Sequence, residues 1–178
     1  KKTQIYPSGK KKEITYTYVP GAKEGTTTAL VGTITENGKE TAYTYDGRGN
    51  ILEICTKALD TGKVTDHMLY TYNGMNQVIR EEDAVRGTTY TYTYDLGGNL
   101  LENKKYDQVN GVEELRGTDT YTYNSDWKDQ LTSFNGKAIT YDAMGNPLSY
   151  MGMSLTWEKG RQLKTLKKSG TLSQYVYD

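Results

Sequence analysis

The chain has one histidine, His67, and one cysteine, Cys55, so any imidazole or thiol chemistry would rest on these two residues. A structural zinc site takes four ligands, and a lone His with a lone Cys cannot supply them. Thiol catalysis needs a cysteine activated by a paired base. No such pairing is visible around Cys55, which follows Leu52-Glu53-Ile54 and reads as a small strand residue. His67, in Val64-Thr65-Asp66-His67-Met68-Leu69, reads as a strand position beside an acidic neighbour. The carboxylates Asp46, Asp95 and Asp142 recur in similar surroundings and raise the ideas of calcium ligation or a glycosidase pair. A calcium β-roll needs short, rigidly periodic loops. Asn124-Ser125-Asp126-Trp127-Lys128-Asp129 lacks the glycine and final glutamate of an EF-hand loop. Trp127 and Trp157 are the best candidates for stacking on sugars, as in a carbohydrate or cell-surface binding module. No catalytic, metal-binding or cofactor-binding residue is assigned, no cofactor is expected, and the chain reads as a non-enzyme.

The recurring aspartates belong to a repeated unit. It reads Tyr43-Thr44-Tyr45-Asp46-Gly47-Arg48-Gly49-Asn50-Ile51-Leu52, then Tyr92-Thr93-Tyr94-Asp95-Leu96-Gly97-Gly98-Asn99-Leu100-Leu101. A third copy is Ile139-Thr140-Tyr141-Asp142-Ala143-Met144-Gly145-Asn146-Pro147-Leu148. Weaker copies are Tyr70-Thr71-Tyr72-Asn73, Tyr121-Thr122-Tyr123-Asn124 and Leu155-Thr156-Trp157-Glu158, with Tyr16-Thr17-Tyr18 and Tyr175-Val176-Tyr177-Asp178 near the ends. Successive copies lie 16 to 29 residues apart. That scatter excludes a solenoid of fixed coil length and suits a meander of hairpins of variable length.

In Tyr-Thr-Tyr the period is two, so both tyrosines face one side of a strand and the threonine faces the other. Asp-x-x-Gly then closes a type I turn with a glycine bulge, in which Gly49, Gly98 and Gly145 take the left-handed conformation. Asn and an aliphatic pair begin the return strand. A second class of turn is the Asn-Gly step at Asn37-Gly38, Asn110-Gly111 and Asn135-Gly136, the strongest short hairpin signal. Further breaks fall at Pro20-Gly21, Asp60-Thr61-Gly62, Arg86-Gly87 and Ser169-Gly170. No stretch has a helical period, and Glu81-Glu82-Asp83-Ala84-Val85-Arg86 is expected to be a loop or an edge. One all-β unit over residues 1–178 follows, a curved antiparallel meander of hairpins.

Composition agrees. Leu, Val, Ile and Phe make 30 of the 178 residues, whereas Tyr reaches 17 and Thr 26. Tyrosine therefore stands in for leucine as the main packing residue, most simply through cross-strand aromatic pairs. Lys and Arg number 22 and Asp and Glu 22, so no basic excess is available to neutralise nucleic-acid phosphates. No apolar run is long enough for a membrane helix, and no membrane insertion is expected. Lys10-Lys11-Lys12 reads as a solvated edge that discourages unwanted strand pairing.

Tyr-x-Tyr-Asp-x-x-Gly-Asn with variable spacers resembles the YD repeat of the RHS (rearrangement hot spot) family, over essentially the whole chain. The resemblance implies a β-sheet ribbon spiralling into a hollow shell, which in bacterial members encloses a C-terminal toxin and ends in a self-cleaving core segment. The chain has no Asp-Pro pair and nothing like that core, so cleavage and toxin activity attach to no residue here. The expectation is a fragment of shell wall from a secreted or cell-wall-associated bacterial protein. Its partners would be other repeats and the C-terminal effector of the same chain, with cell-surface glycans as the alternative. Open sheet edges would favour self-association.

Overall fold

The computed structural model describes residues 1–9 and 11–178 and contains no helix among them. Lys10, the first residue of the basic run, lies outside the described residues. The strands are β1 (Lys2–Ile5), β2 (Lys11–Pro20), β3 (Thr27–Glu36), β4 (Lys39–Tyr45), β5 (Ile51–Ala58), β6 (Val64–Tyr72), β7 (Val78–Asp83), β8 (Thr88–Tyr94) and β9 (Leu100–Val109). They continue as β10 (Val112–Tyr123), β11 (Leu131–Phe134), β12 (Lys137–Ala138), β13 (Thr140–Tyr141), β14 (Pro147–Tyr150), β15 (Met153–Glu158), β16 (Gln162–Lys168) and β17 (Thr171–Gln174). Pairing follows chain order, β1 to β12 in one sheet and β13 to β17 in a second, and neither closes into a barrel. By contacts the chain divides into two compact units, Lys1–Thr91 with Lys105–Arg116, and Tyr92–Lys104 with Gly117–Asp178.

The alternation forecast by the period of two is present. In the complete copies Tyr43 and Tyr45, and Tyr92 and Tyr94, are half-buried while Thr44 and Thr93 between them are exposed; Thr140 is likewise exposed beside half-buried Tyr141. Several of these threonines meet a hydroxyl directly across the ladder: Thr17 with Thr33 at 2.8 Å, Thr140 with Ser149 at 2.8 Å and Thr156 with Thr165 at 2.6 Å. Among the described registers the motif tyrosines do not face one another across the ladder. Tyr43 faces Ile54, Tyr45 faces Ile51, Tyr72 faces Val78, Tyr123 faces Leu131 and Tyr141 faces Pro147. Tyr121 and Phe134, with ring centroids 5.2 Å apart, are a true aromatic pair. The aromatic-on-aliphatic arrangement replaces the expected ladder of aromatic pairs because each hairpin begins with an aromatic pair and returns with an aliphatic one.

Each motif copy for which the register is resolved carries a bulge at one place. The second aromatic pairs with one residue of the return strand, and the preceding threonine then pairs two residues further on. Gly32, Leu52, Ile79, Thr132, Leu148 and Lys164 are the residues left over. A bulge bends its strand and increases the local right-handed twist. It also explains why the large apolar side chains of Leu52 and Leu148 are exposed.

The Asn-Gly turns form as expected, with φ of 48°, 52° and 50° at Asn37, Asn110 and Asn135. A further two-residue turn, Met151-Gly152, holds methionine at φ 47° between paired Tyr150 and Met153; no composition rule for turns would have chosen it. Residues 81–86 depart from expectation. β7 runs through Glu81, Glu82 and Asp83 and lies between β6 and β8, so it is not an edge. The chain turns only after Asp83, whose carboxylate accepts the amides of Val85 (3.1 Å) and Arg86 (2.9 Å) and the guanidinium of Arg86 (2.6 Å).

Very little is shielded from water. Among the described residues the apolar core amounts to Ile139, with Asp83, Thr89 and Asn146 as buried polar residues. Such a fold depends on strand pairing and side-chain hydrogen bonds far more than on an interior.

Candidate functional site

The recurring Asp-x-x-Gly-Asn is a clasp. In the first complete copy Asp46 Oδ1 accepts the amides of Arg48 and Asn50, both at 2.9 Å, and Oδ2 accepts Asn50 Nδ2 at 2.8 Å. The Gly49 amide donates to the Asp46 carbonyl at 3.1 Å, and Gly49 sits at φ 88°. Asp95 with Gly97 and Asn99 repeats these bonds, as does Asp142 with Met144 and Asn146. Two of the weaker copies keep the clasp and reverse it. Asn73 Oδ1 accepts the amides of Met75 and Gln77, so its Nδ2 points the other way and donates to Gln77 Oε1 at 2.7 Å. Asn124 Nδ2 donates to Gln130 Oε1 at 3.1 Å.

Each asparagine that closes a complete clasp has a second N–H, and that one reaches the next turn. Asn50 Nδ2 donates to Asn76 Oδ1 (2.9 Å), Asn99 Nδ2 to the Lys128 carbonyl (3.1 Å) and Asn146 Nδ2 to the Gly160 carbonyl (2.7 Å). Arg48 adds a bond to the Gly74 carbonyl at 2.9 Å. The primary amide suits this position because its one nitrogen offers two donors without adding a charge.

A second set of bonds joins neighbouring repeats through the second aromatic of each motif. Tyr45 Oη donates to the Val31 carbonyl (2.9 Å), Tyr72 to Ile51 (2.8 Å), Tyr123 to Leu100 (2.9 Å), Tyr141 to Leu131 (2.6 Å) and Tyr177 to Leu163 (3.0 Å). Trp157 Nε1 takes the same role toward Pro147 at 2.7 Å. Burial pushes the Tyr72, Tyr123 and Tyr141 hydroxyls above their ordinary range, which keeps them protonated as donors. The sequence carried this signal: the slot holds Tyr or Trp in every copy and never the chain's single Phe. Tyr72→Phe removes only the hydroxyl and is expected to cost about 1 kcal/mol, seen as a lower denaturant midpoint at unchanged slope.

The clasp carboxylates respond to acid. Asp46, Asp95 and Asp142 are each held below the usual aspartate value of 3.8, first by the side-chain bond from Asn50, Asn99 or Asn146 and then by backbone amides. A carboxyl with a depressed folded pKa stabilises the fold above its unfolded value, and the contribution is lost as pH falls through the folded value. These three turns are therefore expected to loosen as pH drops below 3.8, while the Asn73 and Asn124 clasps, with no proton to gain, persist. Amide NMR shifts of Asn50, Asn99 and Asn146 followed against Gln77 and Gln130 provide the check; uniform loosening of all five would refute it.

The remaining candidates fall apart or take other roles. Cys55 lies directly across the ladder from His67, but His67 Nε2 bonds Glu53 Oε1 at 2.7 Å and Cys55 is a free thiol. No group of three or more His, Cys, Asp or Glu among the described residues is placed to hold a metal ion. Trp157 is half-buried and its Nε1 is committed to the Pro147 carbonyl, so it connects neighbouring repeats. Trp127 is 54% exposed, yet its ring covers Gly145: a Cβ at Gly145 would lie 2.8 Å from Trp127 Cη2. Tyr70 and Tyr121 occupy the first aromatic slot and are half-buried, whereas Tyr175 is exposed.

Clasped turns that hand one amide to the next turn, on an antiparallel meander, define a YD-repeat β-sheet. No family model matches the chain. The tRNA3(Ser)-specific nuclease WapA of Bacillus spizizenii is 32% identical over 172 residues, covering 82% of this chain and 7% of that protein. The tRNA nuclease WapA of Bacillus subtilis is 32% identical over 114 residues, covering 60% of this chain and 4% of that protein. The chain thus spans only a small part of the curated relatives that it matches. The crystal structure of TcdB2-TccC3-TEV matches 97% of this chain and 11% of its own with a TM-score of 0.54 at 15% identity, a likeness of fold. The chain belongs to the RHS/YD-repeat family.

Proposed function

We propose that the chain is non-catalytic wall material of a secreted or cell-wall-associated RHS-type protein, building a β-shell that encloses or presents a C-terminal effector. The observation behind this reading is that the motif's recurring polar groups are engaged with one another. The carboxylates clasp their own turns, the asparagines bond the next turn, and the aromatic donors bond the preceding repeat. The names of the WapA relatives place a tRNA nuclease in those proteins; in this reading that activity belongs to their other segments. The repeats are the chain's main partners, and strands β1 and β17, each at the end of its sheet, pair with further repeats. Isolated chains are therefore expected to associate as concentration rises, and a strictly monomeric mass at high concentration would count against edge pairing.

The direct test uses the parent protein. Its C-terminal segment should resist protease while the repeats are intact and become cleavable when Asn50, Asn99 and Asn146 are changed together to Ala. A segment equally exposed in both would remove the enclosing role. Cleavage of tRNA by the isolated chain would overturn the non-catalytic reading.

A further inference from the structure

Four Asn-Gly steps occur in the chain: Asn37-Gly38, Asn73-Gly74, Asn110-Gly111 and Asn135-Gly136. In such a step the glycine backbone nitrogen can attack the asparagine Cγ, because no Cβ on the glycine blocks the approach. The attack forms a C–N bond closing a succinimide ring, breaks the Cγ–Nδ2 bond and releases ammonia. Water then opens the ring at either carbonyl, leaving aspartate or isoaspartate. No oxidant or reductant is needed. The side chain must only be free to bring Cγ onto the following nitrogen.

The structure separates the four steps by that freedom. Asn135 is held at both ends of its carboxamide, with Oδ1 accepting the Thr120 amide at 2.7 Å and Nδ2 donating to Asp119 Oδ1 at 2.7 Å. Asn73 is held three times, by the amides of Met75 (2.9 Å) and Gln77 (3.0 Å) on Oδ1 and by Gln77 Oε1 on Nδ2. Asn110 is exposed at the tip of the β9–β10 hairpin, and its carboxamide has no partner among the described residues. Asn37 is likewise exposed and its carboxamide unheld among them, although the Gly38 carbonyl accepts the Leu59 amide at 2.8 Å and tethers that turn.

We infer that Asn110 is a site of spontaneous deamidation in the folded protein, with Asn37 second, and that Asn73 and Asn135 are protected by their anchored carboxamides. The reaction installs a new carboxylate at the tip of the β9–β10 hairpin. In the isoaspartate product it also adds a backbone carbon to a two-residue turn that has no room for one.

The test is incubation of the whole chain at mildly alkaline pH, with peptide mapping by mass and separation of aspartate from isoaspartate. Folded chain is compared with chain in denaturant. Anchored sites must break two or more hydrogen bonds before reacting, so Asn110 is expected to convert faster than Asn73 and Asn135 by at least about tenfold. In denaturant the four rates should draw together. Asp119→Ala should raise the rate at Asn135 toward that of Asn110, with the Asn110 rate in the same sample reporting that the variant is folded. Asn135 or Asn73 converting as fast as Asn110 in the folded chain would overturn the inference. So would a folded-state ranking identical to that in denaturant, an outcome that needs no variant.

Discussion

Asn146→Ala should lower stability by about 3 kcal/mol, against about 1.5 kcal/mol for Asn50→Ala. Both asparagines donate one N–H to their own aspartate and one to the next turn, at 2.8 and 2.7 Å for Asn146 and 2.8 and 2.9 Å for Asn50. They differ in surroundings. Asn146 is 5% exposed, whereas Asn50 is only half-buried. Alanine at either position leaves a carboxylate oxygen and an acceptor on the next turn without a donor, and water reaches them readily only around residue 50. Urea unfolding of the two variants is the measurement, and equal losses would show that burial of Asn146 adds nothing. Asn146→Asp makes a sharper version because it preserves shape and turns donor into acceptor. Two carboxylates then face each other, so one holds its proton to a higher pH than usual. A group with a raised folded pKa contributes its stability at low pH and loses it as pH rises. This variant should be most damaged at neutral pH and partly restored in mild acid, opposite in sign to the parent turn.

The second large effect is expected at Gly145. Gly49→Ala places a side chain at φ 88° with only Leu30 Cδ2 within 4.0 Å, so backbone strain dominates, about 1 kcal/mol. Gly145→Ala has comparable strain at φ 80° and also drives Cβ to 2.8 Å from Trp127 Cη2 and 3.0 Å from Cζ3. The ring must move off the turn, raising the total to about 2–3 kcal/mol. Trp127→Ala should remove the excess: in that background Gly145→Ala ought to cost no more than Gly49→Ala. A full penalty remaining in the double variant would place the strain elsewhere.

Those two positions mark what the sequence made legible. The strand polarity, the turn class and the need for glycine at residues 49, 98 and 145 were all readable, since period and positive φ are local properties. The destination of a side-chain bond is not local. Asn50 could be recognised as recurrent, but its second donor ends on Asn76, 26 residues away, at a distance that no period predicts when spacers vary. The bulges were hidden for a related reason: the leftover residue is Gly, Leu, Ile, Thr or Lys depending on the copy, so its type carries no signal. The aromatic slot sat between these cases. Its exclusion of Phe was in plain view, while the use of the hydroxyl and its acceptor needed the folded ladder.

The two polarities of the clasp have a consequence for how such an array can change. Asp with Asn works, as in residues 142 and 146, and Asn with Gln works, as in residues 73 and 77, because each pair matches one donor to one acceptor. Asp142→Asn alone sets an amide Nδ2 against Asn146 Nδ2, and turning the Asn146 amide over to match it gives up the bond to the Gly160 carbonyl. At a complete copy the clasp therefore behaves as a parity check, because the asparagine that closes it must keep its donors pointing both ways. Asp142→Asn should fail that check, and Asp142→Asn combined with Asn146→Gln should pass it while removing a titratable group from the turn.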